Sequence, residues 1–209
     1  MLKTRRLTLT AIFLAFIIIF SFTPLGFLNL GIIKATLVHI PVIVGAIILG
    51  PRIGAFLGLV FGLLSMTVNT ITPSILSFAF SPFIPVIGTT QGSLWAVVIA
   101  LIPRVLVGII PYYVYKWLYK PDGTLSQKWS LFISGVAGSL VNTLLVMNLI
   151  YFLFQSAYAQ VTGISVGGGL YNAVLSVIFI NGVPEALVAG IVVAAMTGPL
   201  LKMYNKNQP

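Results

Sequence analysis

A single arginine inside an apolar run is the residue of this sequence best placed to do chemistry. Arg104 follows Pro103 near the middle of the stretch Leu94–Leu118. Burying a guanidinium at membrane depth is costly, so such a residue faces the interior of a helix bundle and a partner. Its planar fork suits a carboxylate, gripped through two parallel hydrogen bonds. Glu185 lies at comparable depth in another apolar run, within Asn181-Gly182-Val183-Pro184-Glu185, and Asn142 falls near the middle of a third. Two readings compete. Either Arg104 and Glu185 form an internal ion pair that holds helices together, or Arg104 is at least partly free to hold an anionic ligand. Pro103 and Pro184 add weight to the second, because each frees a backbone carbonyl that a polar cavity can use.

The other polar residues at depth are candidates for the remaining contacts. Ser65 and Asn69 stand four residues apart, on one helix face. Asn142 and Asn181 are intramembrane amides, with Asn148 further out; such residues serve as interhelical hydrogen bonds about as often as ligand contacts. His39 opens an apolar run and joins the candidate contacts, although a lone histidine near an interface is more often structural. Trp95 and Tyr158 are candidates to line or close the pocket. Small residues recur at four-residue spacing, as Gly50, Gly54, Gly58 and Gly62 and again as Ala11 and Ala15. That spacing lets helices approach closely. Internal packing is the favoured role of the glycines, whereas Ala11 and Ala15 compete between packing and an external partner helix.

Several chemistries are excluded. The absence of cysteine removes thiolate metal sites and cysteine nucleophiles. No G-x-x-x-x-G-K-[ST] phosphate loop is present, so the chain does not hydrolyse ATP by that route. Two acidic residues and one histidine leave little material for general acid–base catalysis. No catalytic residue, metal site or cofactor is expected, and the chains of ionisable groups used by proton-coupled transporters are missing. Binding is well supplied and energy supply is not, so a transport role needs a separate motor.

The elements that position these residues are membrane helices. The 209 residues are 59% hydrophobic and 6% charged, with a mean hydropathy of +1.12. Soluble domains carry roughly a quarter charged residues, so most of this exterior must face lipid. The net charge of +9 forms no stripe along one face and does not point to nucleic acid. Instead the basic residues cluster at the ends of apolar runs. The runs Leu7–Phe22, Leu94–Leu118, Leu131–Phe154 and Tyr171–Leu201 are each long enough, or nearly so, to cross a bilayer. Leu7–Phe22 lacks a convincing cleavage site after it and reads as a retained first helix. Leu37–Val68 is broken by Gly50-Pro51-Arg52-Ile53, and charge favours two short helices over one kinked one. With two, the chain has six transmembrane helices and cytoplasmic termini. Lys3, Arg5, Arg6, Arg52, Lys116, Lys120, Lys128, Lys202 and Lys206 then share one side. The expected fold is all-α, a single six-helix membrane domain over residues 1–209. Its outward loops are Thr23–Thr36, Asn69–Ser93 and Gln155–Leu170, long enough to be lids or binding loops, which places the working face outside.

The chain resembles the S components of energy-coupling factor (ECF) transporters, the vitamin-binding subunits of bacterial uptake systems. Leu9-Thr10-Ala11-Ile12-Phe13-Leu14-Ala15 is similar to the family's Ala-x-x-x-Ala contact for the coupling subunit. His39-Ile40-Pro41 through Gly50-Pro51-Arg52-Ile53-Gly54-Ala55, with Gly62-Leu63-Leu64-Ser65, resembles its second and third helices, and Asn181-Gly182-Val183-Pro184-Glu185 its sixth. The whole pattern is most similar to pantothenate-type members. The resemblance implies an outward-facing vitamin site under loops in the bacterial plasma membrane. It also implies a complex with the transmembrane coupling subunit EcfT and two ATPase subunits, within which the S component topples to deliver its ligand. Pantothenate fits the residues: Arg104 for its carboxylate, and Asn142, Asn181, Ser65 and Asn69 for its amide and hydroxyls. Other carboxylate-bearing vitamins such as folate or biotin satisfy Arg104 equally, and a stand-alone facilitator or an intramembrane enzyme are the competing functions.

Overall fold

The structure, a computed structural model, describes residues 2–29, 34–120, 123 and 125–206. Nine α-helices carry most of the described chain. Helix α1 spans Leu2–Phe22, and after it Phe27–Asn29 (β1) pairs antiparallel with Lys34–Thr36 (β2). This short hairpin is the departure from the expected all-α chain; residues 30–33 of the expected first loop lie outside the described residues. Then follow α2 (His39–Leu49), α3 (Pro51–Ile71), α4 (Trp95–Val107), α5 (Ile110–Leu118) and α6 (Gln127–Leu153). The chain closes with α7 (Gln155–Thr162), α8 (Gly168–Val177) and α9 (Val183–Lys206), the last two joined by a π-helical turn at Ile178–Gly182.

Among the described residues, five stretches are long and apolar enough to cross a membrane: Thr4–Phe22, Pro51–Ile71, Trp95–Leu118, Gln127–Leu153 and Gly168–Tyr204. Leu37–Val68 is two helices, as its charge suggested. Gly50 takes φ 94° and ψ 168°, a conformation essentially restricted to glycine, and Pro51 opens α3 where no amide donor is needed. The chain turns back on itself there, so that Gly54 lies against Ala46. Helix α2, with eleven residues, rises only about 16 Å. All eleven are buried, so its neighbours shelter it and it need not meet lipid along its length.

The glycine ladder packs α3 against α4. A β-carbon on Gly54 would strike the carbonyl of Gly108, one on Gly58 the carbonyl of Arg104, and one on Gly62 the carbonyl of Ala100. The partner number falls as the glycine number rises, the signature of antiparallel helices in backbone-to-backbone contact. Gly50 is not a rung: it makes the turn, and nothing lies within 4 Å of its Cβ position.

The run Leu94–Leu118 keeps its place as one apolar stretch, Trp95–Leu118, which runs as two helices, α4 and α5, parted at Gly108 and Ile109 before Pro111. One further expectation needs correction. Gln155–Leu170 is not a plain loop, because its first half is α7, which buries Ala157 and Tyr158.

The core is divided. One apolar cluster joins Phe13, Ile17, Ile43, Leu57, Val107, Leu131 and Val193. The other joins Phe78, Ile99, Met147, Ile150, Phe154, Leu170 and Ile178. Helices α4, α6 and the α8–α9 pair contribute to both, and between their contributions each carries one of the polar residues singled out from sequence: Arg104, Asn142 and Glu185.

Candidate functional site

Arg104 is held by the consequence of its neighbour. A helical N–H bonds the carbonyl four residues back, and Pro103 has no N–H, so the carbonyl of Ile99 lacks its helical donor. The side chain of Arg104 folds back and supplies one: Nη1 donates to Ile99 O at 2.7 Å. The guanidinium also stacks on two aromatic rings, 5.7 Å from the centroid of Phe61 on α3 and 5.1 Å from that of Phe80 in the α3–α4 loop. Nε, by contrast, is buried without a hydrogen-bond partner.

His39, Glu185 and Arg104 lie deep in the bundle, with 1%, 9% and 6% of their surface exposed. Nδ1 of His39, at the start of α2, is 3.6 Å from Oε1 of Glu185, at the start of α9. Glu185 is also near enough for its charge to act on Arg104. Glu185 thus has His39 as a close neighbour as well as acting on Arg104, and His39 belongs to this buried polar cluster rather than to the membrane interface. The π turn at Ile178–Gly182 sets the entrance to α9. Val183 N–H reaches Ile178 O, five residues back, and the widened turn accommodates the Pro184 ring, which would otherwise press on the carbonyl of Ile180. Such single π turns are frequent at functional sites. Asn181 lies on this turn, half-buried, while Gly182 packs on Thr143 of α6, the residue after Asn142. The Asn142 Oδ1 is buried and without a hydrogen-bond partner, as are Oγ of Ser139 and Nε2 of His39.

Asn69, a candidate ligand contact, is tied within the protein in this structure. Its Nδ2 donates to Ser65 O at 2.8 Å, and its Oδ1 accepts from the Ser77 hydroxyl at 2.7 Å. Thr70 and Ser81 share a further hydroxyl bond of 2.7 Å. These bonds fasten the α3–α4 loop to the end of α3, and that loop carries Phe80 onto Arg104. Ser65 is half-buried on the same helix. Tyr158 is buried in the second apolar cluster, where burial pushes its phenol above the ordinary range. Trp95, at the first turn of α4, is 55% exposed. Asn148 accepts from the Tyr171 hydroxyl at 3.3 Å and so ties α6 to α8.

Sequence reasoning missed Phe61 and Phe80. The carbonyl freed by Pro103 was expected, and it is that of Ile99, four residues back. Phe80 carried a weaker signal, an aromatic between the small residues Ala79 and Ser81 of a polar loop. Ala11 and Ala15 are both exposed on α1, away from the bundle interior, so neither is a packing contact of this chain's core. No cluster of three or more metal-ligating side chains occurs among the described residues.

Comparison with known proteins agrees with this architecture. Residues 5–197 match the family described as ECF transporter, substrate-specific component. The chain is 37% identical over 207 residues to the pantothenic acid transporter PanT of Lactococcus lactis subsp. cremoris, covering 98% of each chain. It is 31% identical to the pantothenate transporter PanT of Leuconostoc mesenteroides, covering 95% of this chain and 93% of the relative. Full-length identity at this level, on a bundle of apolar helices, leaves one conclusion: the chain belongs to the substrate-specific components of ECF transporters, multi-pass proteins of the bacterial cell membrane.

Proposed function

We propose that this chain binds pantothenate from the outer side of the membrane and delivers it with an ATP-driven ECF module made of EcfT and two ATPase subunits. The observation that carries the reading is the state of Arg104. Its guanidinium is buried between two aromatic rings and oriented by one backbone carbonyl, with Nε left without a protein partner. A buried donor without a partner costs roughly 1–3 kcal/mol, more when charged. A carboxylate would relieve that cost, and Asn142, Ser139 and His39, with buried polar atoms that lack partners, and the amide of Asn181 are groups for an amide and hydroxyls. Glu185 tempers the positive charge, so the site accepts a monoanion without fixing it permanently. The names of both relatives point to the same vitamin.

In this reading the chain forms a single membrane domain of six crossings: α1, α2, α3, the α4–α5 pair, α6, and the α8–α9 pair. The sheltering of α2 supports counting it, and Arg52 is exposed beside its turn, as a residue at a membrane boundary should be. Both termini are then cytoplasmic, and Ala11 and Ala15 present a small-residue face to the coupling subunit.

Calorimetric titration of the purified chain in detergent tests the ligand, with pantothenate beside folate, biotin and riboflavin. One-to-one binding of pantothenate alone is expected, and Arg104→Gln should abolish it. Unchanged affinity in that variant would remove Arg104 from the site, and binding of a different vitamin would reassign the substrate.

A further inference from the structure

A second built feature lies far along the bundle from Arg104. Between the first turns of α6 and the last turns of α9 runs a groove of about 960 Å³. Two exposed lysines, Lys128 and Lys202, line it with Trp129, and the rest of its lining is largely apolar, with Phe132, Ile191 and Ala195. Glu185, the acidic residue among the described residues, does not line it. The helices are antiparallel here, since Gly198 lies over Leu131 and Gly190 against Gly135 and Val136, so both lysines lie towards the same end of the bundle. From Lys202 to Ile191 is eleven residues, about 16 Å of helix rise. That is close to one leaflet, half of the roughly 30 Å hydrocarbon core.

The polar end has one more unusual group. Pro199 interrupts α9 and has no N–H, so the carbonyl of Ala195, which lines the groove, lacks its helical donor. The groove thus offers cations at the headgroup level, a spare acceptor just below them, and apolar wall for the depth of one leaflet. We propose that this groove binds one anionic phospholipid, its phosphate between Lys128 and Lys202 and an acyl chain lying along Phe132, Ala195 and Ile191. Basic pockets between membrane helices bind anionic headgroups in this way, and Trp129 anchors the interface. A headgroup carrying hydroxyls, as in phosphatidylglycerol, can also donate to the Ala195 carbonyl.

The experiment is thermal unfolding of the detergent-purified full chain with added phosphatidylglycerol or phosphatidylcholine of the same acyl chains. Phosphatidylglycerol is expected to raise the melting temperature saturably, and phosphatidylcholine to leave it nearly unchanged. The double variant Lys128→Gln/Lys202→Gln should need roughly 30-fold more phosphatidylglycerol for half the effect, from about 1 kcal/mol per lysine. Ala195→Phe, which keeps both lysines and fills the wall at an exposed position, should weaken the response as well. Equal stabilisation by both lipids would overturn the proposal, as would an undiminished phosphatidylglycerol preference in the double variant. So would a full response to glycerol 3-phosphate, which would mark a free-anion site. Loss of assembly with the ATP-driven module and an unchanged lipid response would make the groove a protein interface, and the lipid assignment would fall.

Discussion

Replacing Pro103 by alanine should weaken ligand binding while leaving the helix no less stable. Alanine restores an N–H that bonds the Ile99 carbonyl, the group that now receives Arg104 Nη1 at 2.7 Å. A charged hydrogen bond of this kind contributes roughly 1.5–3 kcal/mol. Deprived of it, the guanidinium regains rotamer freedom within its aromatic walls, and the ligand must order it again at a cost of up to about 2 kcal/mol. Affinity for a carboxylate ligand should therefore fall roughly 10- to 30-fold. The stability effect has the opposite sign. Proline inside a helix costs about 3 kcal/mol relative to alanine in water, and less in a bundle where the freed carbonyl is bonded, so the variant should melt at or above the parent.

The assay is calorimetric titration of both proteins with pantothenate and with its neutral alcohol analogue, which has no carboxylate for Arg104 to grip. The alanine variant should lose affinity for the first and keep its affinity for the second. Equal losses for the two ligands would mean that Pro103 shapes the helix rather than the arginine. An undiminished pantothenate affinity would refute the orienting role of the Ile99 carbonyl altogether.

Three other perturbations separate packing from function. Ala11→Leu/Ala15→Leu, on an exposed face, should preserve pantothenate binding and abolish vitamin uptake by cells; lost binding or undiminished uptake would refute their role as a partner face. Gly58→Ala drives a methyl group into the backbone carbonyl of Arg104, which cannot move away as a side chain could. It should destabilise the protein by about 1–3 kcal/mol, read as a lower melting temperature in detergent. Asn69→Leu removes the bond from Ser77 that fastens the α3–α4 loop, and stopped-flow measurement should show faster ligand release, since Phe80 on that loop covers Arg104.

Legibility from sequence followed the cost of error in a membrane. Arg104 and Glu185 announced themselves because charge at that depth is expensive unless it is enclosed. The turn at Gly50 was equally plain, since Gly-Pro-Arg combines a positive-φ residue, a helix start and a charge that avoids lipid. The short length of α2 was puzzling only while its burial was unknown. What stayed hidden was set by long-range packing or by weak local signals. His39 reads as an interfacial residue until α9 brings Glu185 beside it. The four-residue spacing of Ser65 and Asn69 gave no hint that the Asn69 amide bonds the Ser65 carbonyl and a serine eight residues ahead. Helix α7 escaped because Gln155-Ser156-Ala157-Tyr158 has loop-like polarity, and only two buried side chains betray it.

The charged layer between two apolar cores is itself informative. His39, Arg104 and Glu185 interrupt what would otherwise be one continuous apolar interior. Replacing a buried ionic cluster as a whole by apolar groups of similar volume is often neutral or stabilising by about 1–4 kcal/mol, whereas removing one partner costs about 3–5 kcal/mol. If the cluster exists to hold ligand, the triple variant His39→Leu/Arg104→Met/Glu185→Leu should melt at or above the parent and bind no pantothenate. Glu185→Leu alone, which leaves Arg104 and His39 without their acidic neighbour, should melt well below both. Unfolding of the triple variant at the temperature of the single one would show that the fold itself needs the charges. The bundle would then be held by this polar cluster, and the site would have to be sought among the amides of Asn142 and Asn181.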